Sequence, residues 1–332
     1  MIRTLLAELL AEHDHGGRIA HLTADSRLRV AQIWSRWEGR VVWTLFTRRC
    51  SAPVMVVKAD HNRGYQQRLR REHQALQAVS QRPELRGTVP EPLTMFTTGP
   101  RLVLAQTGLP GTPLTVRARQ RIRPSPRRSA AEHRQLLDWL ERLQGGGGQR
   151  VVVDADKVLE QAAAAIHGDD EAAGFLSDLR AMAADWSDLT LPLLPGHGDL
   201  APSNCLLHGG QVRVIDWEGG VGTRTPLADL IIFLNHYARC QPETGYLPPV
   251  AIEAFRRAFL GHGWLAALTA RSFERHIRYL GLPVAAREYL LVATLTELAT
   301  GEASTAHATR AKGYWTTFLR AYAAGRRSTP TS

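Results

Sequence analysis

Apolar positions in the first hundred residues come in short runs, and two changes of period divide them. Leu28 to Trp34 and Val41 to Thr47 read as two strands around Ser35-Arg36-Trp37-Glu38-Gly39-Arg40, and Val54-Met55-Val56-Val57 reads as a buried strand running into Lys58. Asp60-His61-Asn62 is a turn. From Arg63 to Ser80 the pattern becomes helical, with Tyr65, Leu69, Leu76 and Val79 at spacings of four, seven and three. Leu102 to Ala105 reads as another strand, ending in the Gly/Pro-rich break Gln106 to Pro113. Beyond it the pattern is mostly helical, from His133 to Leu143 and again in several amphipathic stretches between Leu260 and Ala323, Val284 to Thr300 among them. One late exception is Cys205-Leu206-Leu207 and Val212-Arg213-Val214-Ile215, two apolar runs joined at His208-Gly209-Gly210, which predict a hairpin.

Composition adds bounds. A chain of 332 residues is long enough for two compact units. With 44% hydrophobic and 22% charged residues it has the make-up of a soluble globular protein, and no uncharged apolar run approaches the roughly 18 residues of a membrane span. Leu5 to Ala11 is broken by Glu8 and reads as an amphipathic helix, not a secretory leader, so a cytoplasmic protein without membrane partners is expected. Cys50, Cys205 and Cys240 are odd in number and far apart, against a disulfide framework. His13 and His15 lie beside a glycine pair with no carboxylate or cysteine companions evident, so no metal site is expected there.

Candidate chemistry concentrates between His197 and Glu218, HGDLAPSNCLLHGGQVRVIDWE. An isolated Asp or Asn is usually a turn or cap residue. Here Asp199 follows His197 by two residues and precedes Asn204 by five, and Asp216 ends an apolar run twelve residues later, the H-x-D-x-x-x-x-N layout of a phosphoryl-transfer loop. HGDxxxxN followed by a strand ending in Ile-Asp-Trp-Glu resembles the aminoglycoside phosphotransferase and choline kinase superfamily, whose members have a protein-kinase-like fold. The resemblance implies an α+β, two-lobed architecture: an antiparallel-sheet N-lobe over residues 1–104, a hinge at 105–110 and a larger, mainly helical C-lobe over 111–332. It also implies an ATP- and Mg²⁺-dependent phosphotransferase with an alcohol acceptor. In that reading Asp199 orients the acceptor hydroxyl and takes its proton, while Asn204 and Asp216 bind Mg²⁺.

Lysine usage singles out one more residue. Of 41 basic residues only Lys58, Lys157 and Lys312 are lysines, so a lysine at the end of a buried strand is not a generic positive charge. By resemblance Lys58 holds the nucleotide's α- and β-phosphates and pairs with a carboxylate on the following helix; Glu72 is the only acidic residue between Asp60 and Glu84. The resemblance also places adenine on the backbone of Ala105, Gln106 and Thr107. The expected phosphate-covering stretch, Ser35 to Arg40, has a single glycine where protein kinases use G-x-G-x-x-G.

Some features narrow the substrate. Gly198 stands where protein kinases have Arg, no Ala-Pro-Glu follows Asp216, and no lysine sits in a G-x-x-x-x-G-K-[ST] loop, which excludes P-loop chemistry and points to a constitutive enzyme. Arg117 to Arg128 holds six arginines and two prolines without aromatics and reads as a solvated loop; nucleic acid is not an expected partner. The formal charge of +10 favours a neutral or anionic small-molecule acceptor, a metabolite or sugar, over a polycation. Two alternatives stay open: transfer to Ser or Thr of a peptide with an acidic segment bound by the arginine run, and a nucleotide-binding scaffold without turnover.

Overall fold

The computed structural model describes residues 2–14, 16–23, 28–34, 40–48, 51–145, 148–166, 172–241, 248–304 and 313–327. They form two compact units. One comprises Met1–Pro113 with His197–Asp199 and Ser203–Gly222; the other comprises Leu114–Gly196, Leu200–Pro202 and Thr223–Ser332. His197–Asp199 and the hairpin residues thus cluster with the sheet, and Leu200–Pro202 with the helical unit.

The first unit opens with helices α1 (Ile2–Glu12) and α2 (Arg18–Thr23). Strands β1 (Arg29–Trp34), β2 (Val41–Phe46) and β3 (Pro53–Asp60) follow, then helix α3 (Arg63–Ser80) and strands β4 (Pro92–Thr98) and β5 (Arg101–Thr107). The sheet is antiparallel in the order β1-β2-β3-β5-β4. Period-two alternation decides which side chains face which layer. Leu5 and Leu9 of α1 and Ile19 of α2 cluster with Trp43, Leu45, Met55, Val57, Val103 and Ala105 from one face of the sheet. From the other face Leu102 and Leu104 meet Leu69 of α3. Each such side chain stabilises the unit by about 1.5–3 kcal/mol on burial. His13 stacks on Phe96 at 4.0 Å, and it does have carboxylate neighbours: ligand atoms of Glu8, Glu12 and His13 lie within 4.8 Å of one another.

The strand carrying Lys58 continues two residues beyond it, because Ala59 and Asp60 pair with Val103 and Leu102. Lys58 is opposite Leu104 on β5 and therefore lies on the face that α3 covers. Asp60 Oδ1 accepts from the Asn62 amide at 2.8 Å, and the Asn62 side chain caps α3 by accepting from Gly64 N at 2.9 Å. Leu69, Glu72, Ala75, Leu76 and Val79 form the buried stripe of that helix, which puts one carboxylate into an otherwise apolar row.

The expected hairpin pairs Cys205–His208 with Gln211–Val214. Its two-residue turn, Gly209 (φ 56°) and Gly210 (φ 78°), is left-handed at both positions, the backbone that side chains with a Cβ resist. Leu206 and Leu207 also pair with Pro113 and Thr112.

The second unit is mainly helical. It begins with α4 (Leu114–Arg119) and α5 (Pro126–Gln144), and its central helix, Ala228–Arg239, buries ten of twelve residues. Helix α5 starts seven residues before the expected His133, since a proline in the first turn lacks only an amide hydrogen that would have no helical partner. This corrects the reading of the arginine run: Arg117 and Arg119 belong to α4, Arg127 and Arg128 to α5. Arg121 is buried in a network, donating to Ser129 Oγ at 3.1 Å, to Tyr237 Oη at 3.2 Å and to Glu132. No helix among the described residues is long and apolar enough to cross a membrane.

Candidate active site

Lys58 Nζ donates to both oxygens of Glu72, at 2.8 and 2.9 Å, and to Asp216 Oδ1 at 2.7 Å. Glu218 Oε1 is 3.8 Å away. The lysine side chain is 8% exposed and Glu72 fully buried, so neither charge has access to bulk water and each depends on the other. Burial alone would lower the Lys58 ammonium, but Glu72, Asp216 and Glu218 outweigh it and hold the pKa above the ordinary value. Burial pushes the Glu72 carboxyl up against the opposing pull of Lys58. Burial would also raise Asp216, yet the Lys58 charge and hydrogen bond bring it down to about 2, leaving it ionised at neutral pH.

Asp216 is the one non-glycine residue with positive φ among the described residues, at 69°. Aspartate tolerates this region better than most residues. Just beyond the hairpin strand, this backbone turns the chain from Val214 towards Trp217 and Glu218, whose carboxylate, with those of Glu72 and Asp216, lies within 4.8 Å of a common cluster.

The preceding loop is tied to the same hairpin. His197 is fully buried: its Nδ1 accepts from the Asp199 amide at 3.2 Å and its Nε2 faces Ile215 O at 3.1 Å, so the proton sits on Nε2. Trp217 packs edge-on against that ring, centroids 4.6 Å apart, and donates to Val214 O at 3.2 Å. Gly198 has φ 82°, and a Cβ on Gly219 would meet His197 O at 2.7 Å, so two glycines permit the crossing. Asn204 Nδ2 donates to Asp199 O at 2.9 Å and to Asp199 Oδ2 at 3.2 Å, while Ile215 N donates to Asn204 O at 3.0 Å. With its amide nitrogen turned to Asp199, Asn204 presents an oxygen elsewhere. Asp199 itself is exposed.

Ala105, Gln106 and Thr107 sit differently from a vacant hinge backbone. All three lie within β5, laddered to Val57, Val56 and Met55 on one side, and the Thr107 amide donates to Glu91 O at 2.9 Å. Gly108 N is likewise engaged, with Val54 O at 3.0 Å, which makes Leu109 to Gly111 the first residues past the ladder. The apolar run ends at Ala105, but pairing does not depend on side-chain polarity, so Gln106 and Thr107 stay in the strand. Residues 35–39 of the expected covering stretch lie outside the described residues; Arg40 is described and forms an ion pair with Glu218.

Residues 29–271 match the phosphotransferase enzyme family. The chain belongs to that family. No curated protein matches it. Among solved structures, the GDP complex of wild-type aminoglycoside 2'-phosphotransferase-IIIa is 12% identical, covers 98% of each chain and superposes with a TM-score of 0.55. The GDP and kanamycin complex of APH(2")-IIia is 11% identical over the whole of both chains, with a TM-score of 0.51. A thermostable mutant of aminoglycoside phosphotransferase APH(4)-Ia in its apo form is 14% identical, with 91% of this chain and 96% of that one covered and a TM-score of 0.50. At such identities the likeness is one of fold: two-lobed, α+β and kinase-like.

In this phosphotransferase the cluster suits a hard divalent cation by the chemistry of its donors. Carboxylate oxygens of Glu72, Asp216 and Glu218 are the ligand type Mg²⁺ takes, and the Asp216 side chain is 37% exposed and so reachable. Two members of the constellation were missed on sequence, Glu218 and Arg40. Glu218 could have been found from its place in the Ile-Asp-Trp-Glu run that follows the hairpin. Arg40 carries no such signal among so many arginines.

Proposed function

We propose that the chain transfers the γ-phosphoryl group of ATP to a hydroxyl of a small metabolite, with Mg²⁺ as the metal. The observation that carries this reading is one continuous arrangement: Asp199 bonded to Asn204, Asn204 bonded to Ile215, and the adjacent Asp216 bonded to a lysine that Glu72 holds. Asp199 would accept the acceptor's proton as its oxygen attacks the γ-phosphorus; the bond from that phosphorus to the bridging oxygen breaks, and ADP leaves. Lys58, oriented by Glu72, would donate to the α- and β-phosphates. Asn204 and Asp216 would hold Mg²⁺, whose charge, when bound, offsets that of the phosphate oxygens. Adenine recognition, expected on Ala105 to Thr107, is better placed on the residues just past the ladder, Leu109 to Gly111, because the backbone of β5 is already paired. GDP in the solved relatives supports a nucleotide in this role and makes GTP the comparison donor.

The acceptor is where this chain departs from those relatives. Kanamycin is a polycation, and its binding calls for carboxylates; a chain with 41 basic and 31 acidic residues is better suited to a neutral or anionic alcohol. Nucleotide consumption by wild-type protein and by Asp199→Ala, with ATP or GTP and pooled small-molecule alcohols, tests the assignment. Acceptor-dependent ADP formation by the wild type alone is the expected result, and equal ADP formation by both would contradict it.

A further inference from the structure

Arg40 is an arginine placed where its partners cannot satisfy it. Its side chain is 13% exposed, Nη1 forms the ion pair with Glu218, and Nε forms a longer ion pair, 3.6 Å, with Asp60 Oδ2, a buried carboxylate oxygen with no hydrogen bond of its own. Neither Nε nor Nη2 has a hydrogen-bond partner, and both are buried. A guanidinium is always charged and presents its donors in a fixed fork, so buried vacant donors on it are costly unless a ligand fills them. An aromatic ring and a second arginine lie beside it. Tyr65 lies under it, 5.5 Å from the ring centroid to the guanidinium carbon, and Arg68 shares the same ring at 4.8 Å and approaches Glu218 at 4.0 Å. Glu218 also lies 3.8 Å from Lys58 Nζ, so Arg40 and Lys58 share one carboxylate.

The sequence supplies a reason for a second cation. Glycine-rich stretches bring several backbone amides to phosphate, and Ser35 to Arg40 has one glycine. An arginine fork can replace such amides, because it binds phosphate oxygens in a bidentate manner.

We propose that Arg40 is a phosphate-binding residue of this site, donating through Nη2 to the polyphosphate of a nucleoside triphosphate while Glu218 and Asp60 position its guanidinium. The proposal rests on the phosphotransferase reading and assigns it a residue that neither the motif nor the lysine count indicates. The alternative is a purely structural brace between Glu218 and Asp60, and the two differ in what they do to phosphate recognition.

The test is calorimetric titration of wild type, Arg40→Gln and Arg40→Lys with ATP, ADP and adenosine in the presence of Mg²⁺. The expected result for Arg40→Gln is a loss of about tenfold or more in ATP affinity, the scale of a charge-assisted hydrogen bond, with adenosine affinity unchanged within about twofold. Arg40→Lys keeps a charge beside Asp60 and Glu218 and so protects the fold. Lacking the fork, it should still show a lowered ratio of ATP to adenosine affinity. A ratio equal to that of wild type in either variant would overturn the proposal and leave Arg40 a brace. Wild-type protein that binds adenosine and ATP equally well would instead overturn the phosphotransferase reading on which it rests.

Discussion

Lys58 and Asp216, separated by 158 residues in sequence, are joined by a 2.7 Å hydrogen bond, with the ammonium also shared by Glu72. The residue proposed to grip phosphate thus hydrogen-bonds the residue proposed to bind metal.

That arrangement makes a stability prediction. Lys58→Met strands a fully buried carboxylate and should destabilise the sheet unit by about 3–5 kcal/mol in denaturant unfolding. Replacing the pair together, Lys58→Met with Glu72→Met, should recover most of that loss, because an apolar pair of similar volume needs no desolvation of charge. ATP binding should stay impaired in both. A single variant as stable as wild type would show that Glu72 does not depend on Lys58.

Metal dependence isolates Asp216. Asp216→Asn removes a carboxylate that is ionised at neutral pH and should weaken ATP binding far more in Mg²⁺ than in EDTA. Equal losses in both titrations would remove Asp216 from the metal site.

Acid sensitivity should come from the helical unit. Burial lowers His133 to about 3 and both His236 and His276 to about 4, so the folded protein keeps them neutral where the unfolded chain protonates them near 6.5. Their contribution is complete above about pH 6.5 and is lost as pH falls towards those folded values, each group removing about 1.4 kcal/mol per pH unit. His133→Leu gives up one hydrogen bond to Ser272, whose hydroxyl also donates to Leu268 O. Melting temperatures from pH 7 to 4 should fall less steeply in His133→Leu than in wild type; parallel curves would contradict the assignment.

The arginine run divides into anchored and surface members. Arg123→Gln, Arg127→Gln and Arg128→Gln together should leave the acceptor KM within about twofold at low and physiological salt, since dispersed surface charge does little for a small pocket. Arg121→Gln should lower the melting temperature, because Glu132 loses a buried counter-charge. A large, salt-sensitive rise in acceptor KM in the triple variant would bring back an anionic partner for this surface.

Much of the sheet unit was legible because period and chemistry coincide there. The helix limits Arg63 to Ser80 and the hairpin turn at Gly209-Gly210 follow from apolar spacing and from paired glycines. Strand ends were harder to read: β3 runs three residues and β5 two residues past their apolar runs, since ladder hydrogen bonds belong to the backbone and leave no mark in side-chain polarity. The start of α5 was hidden by prolines that break a helix inside but suit its first turn. Tyr237 meets Arg121 and Glu132 from more than a hundred residues away, and no local pattern encodes that.

The central claim, that Asp199 is the group through which the acceptor's proton leaves, is tested most directly by measuring turnover and ATP affinity together in Asp199→Ala. Orientation of the nucleophile is lost while phosphate contacts remain, so ATP affinity should stay within about threefold of wild type and turnover should fall by about a hundredfold or more. Turnover within about tenfold of wild type, with the same ATP affinity, would contradict it.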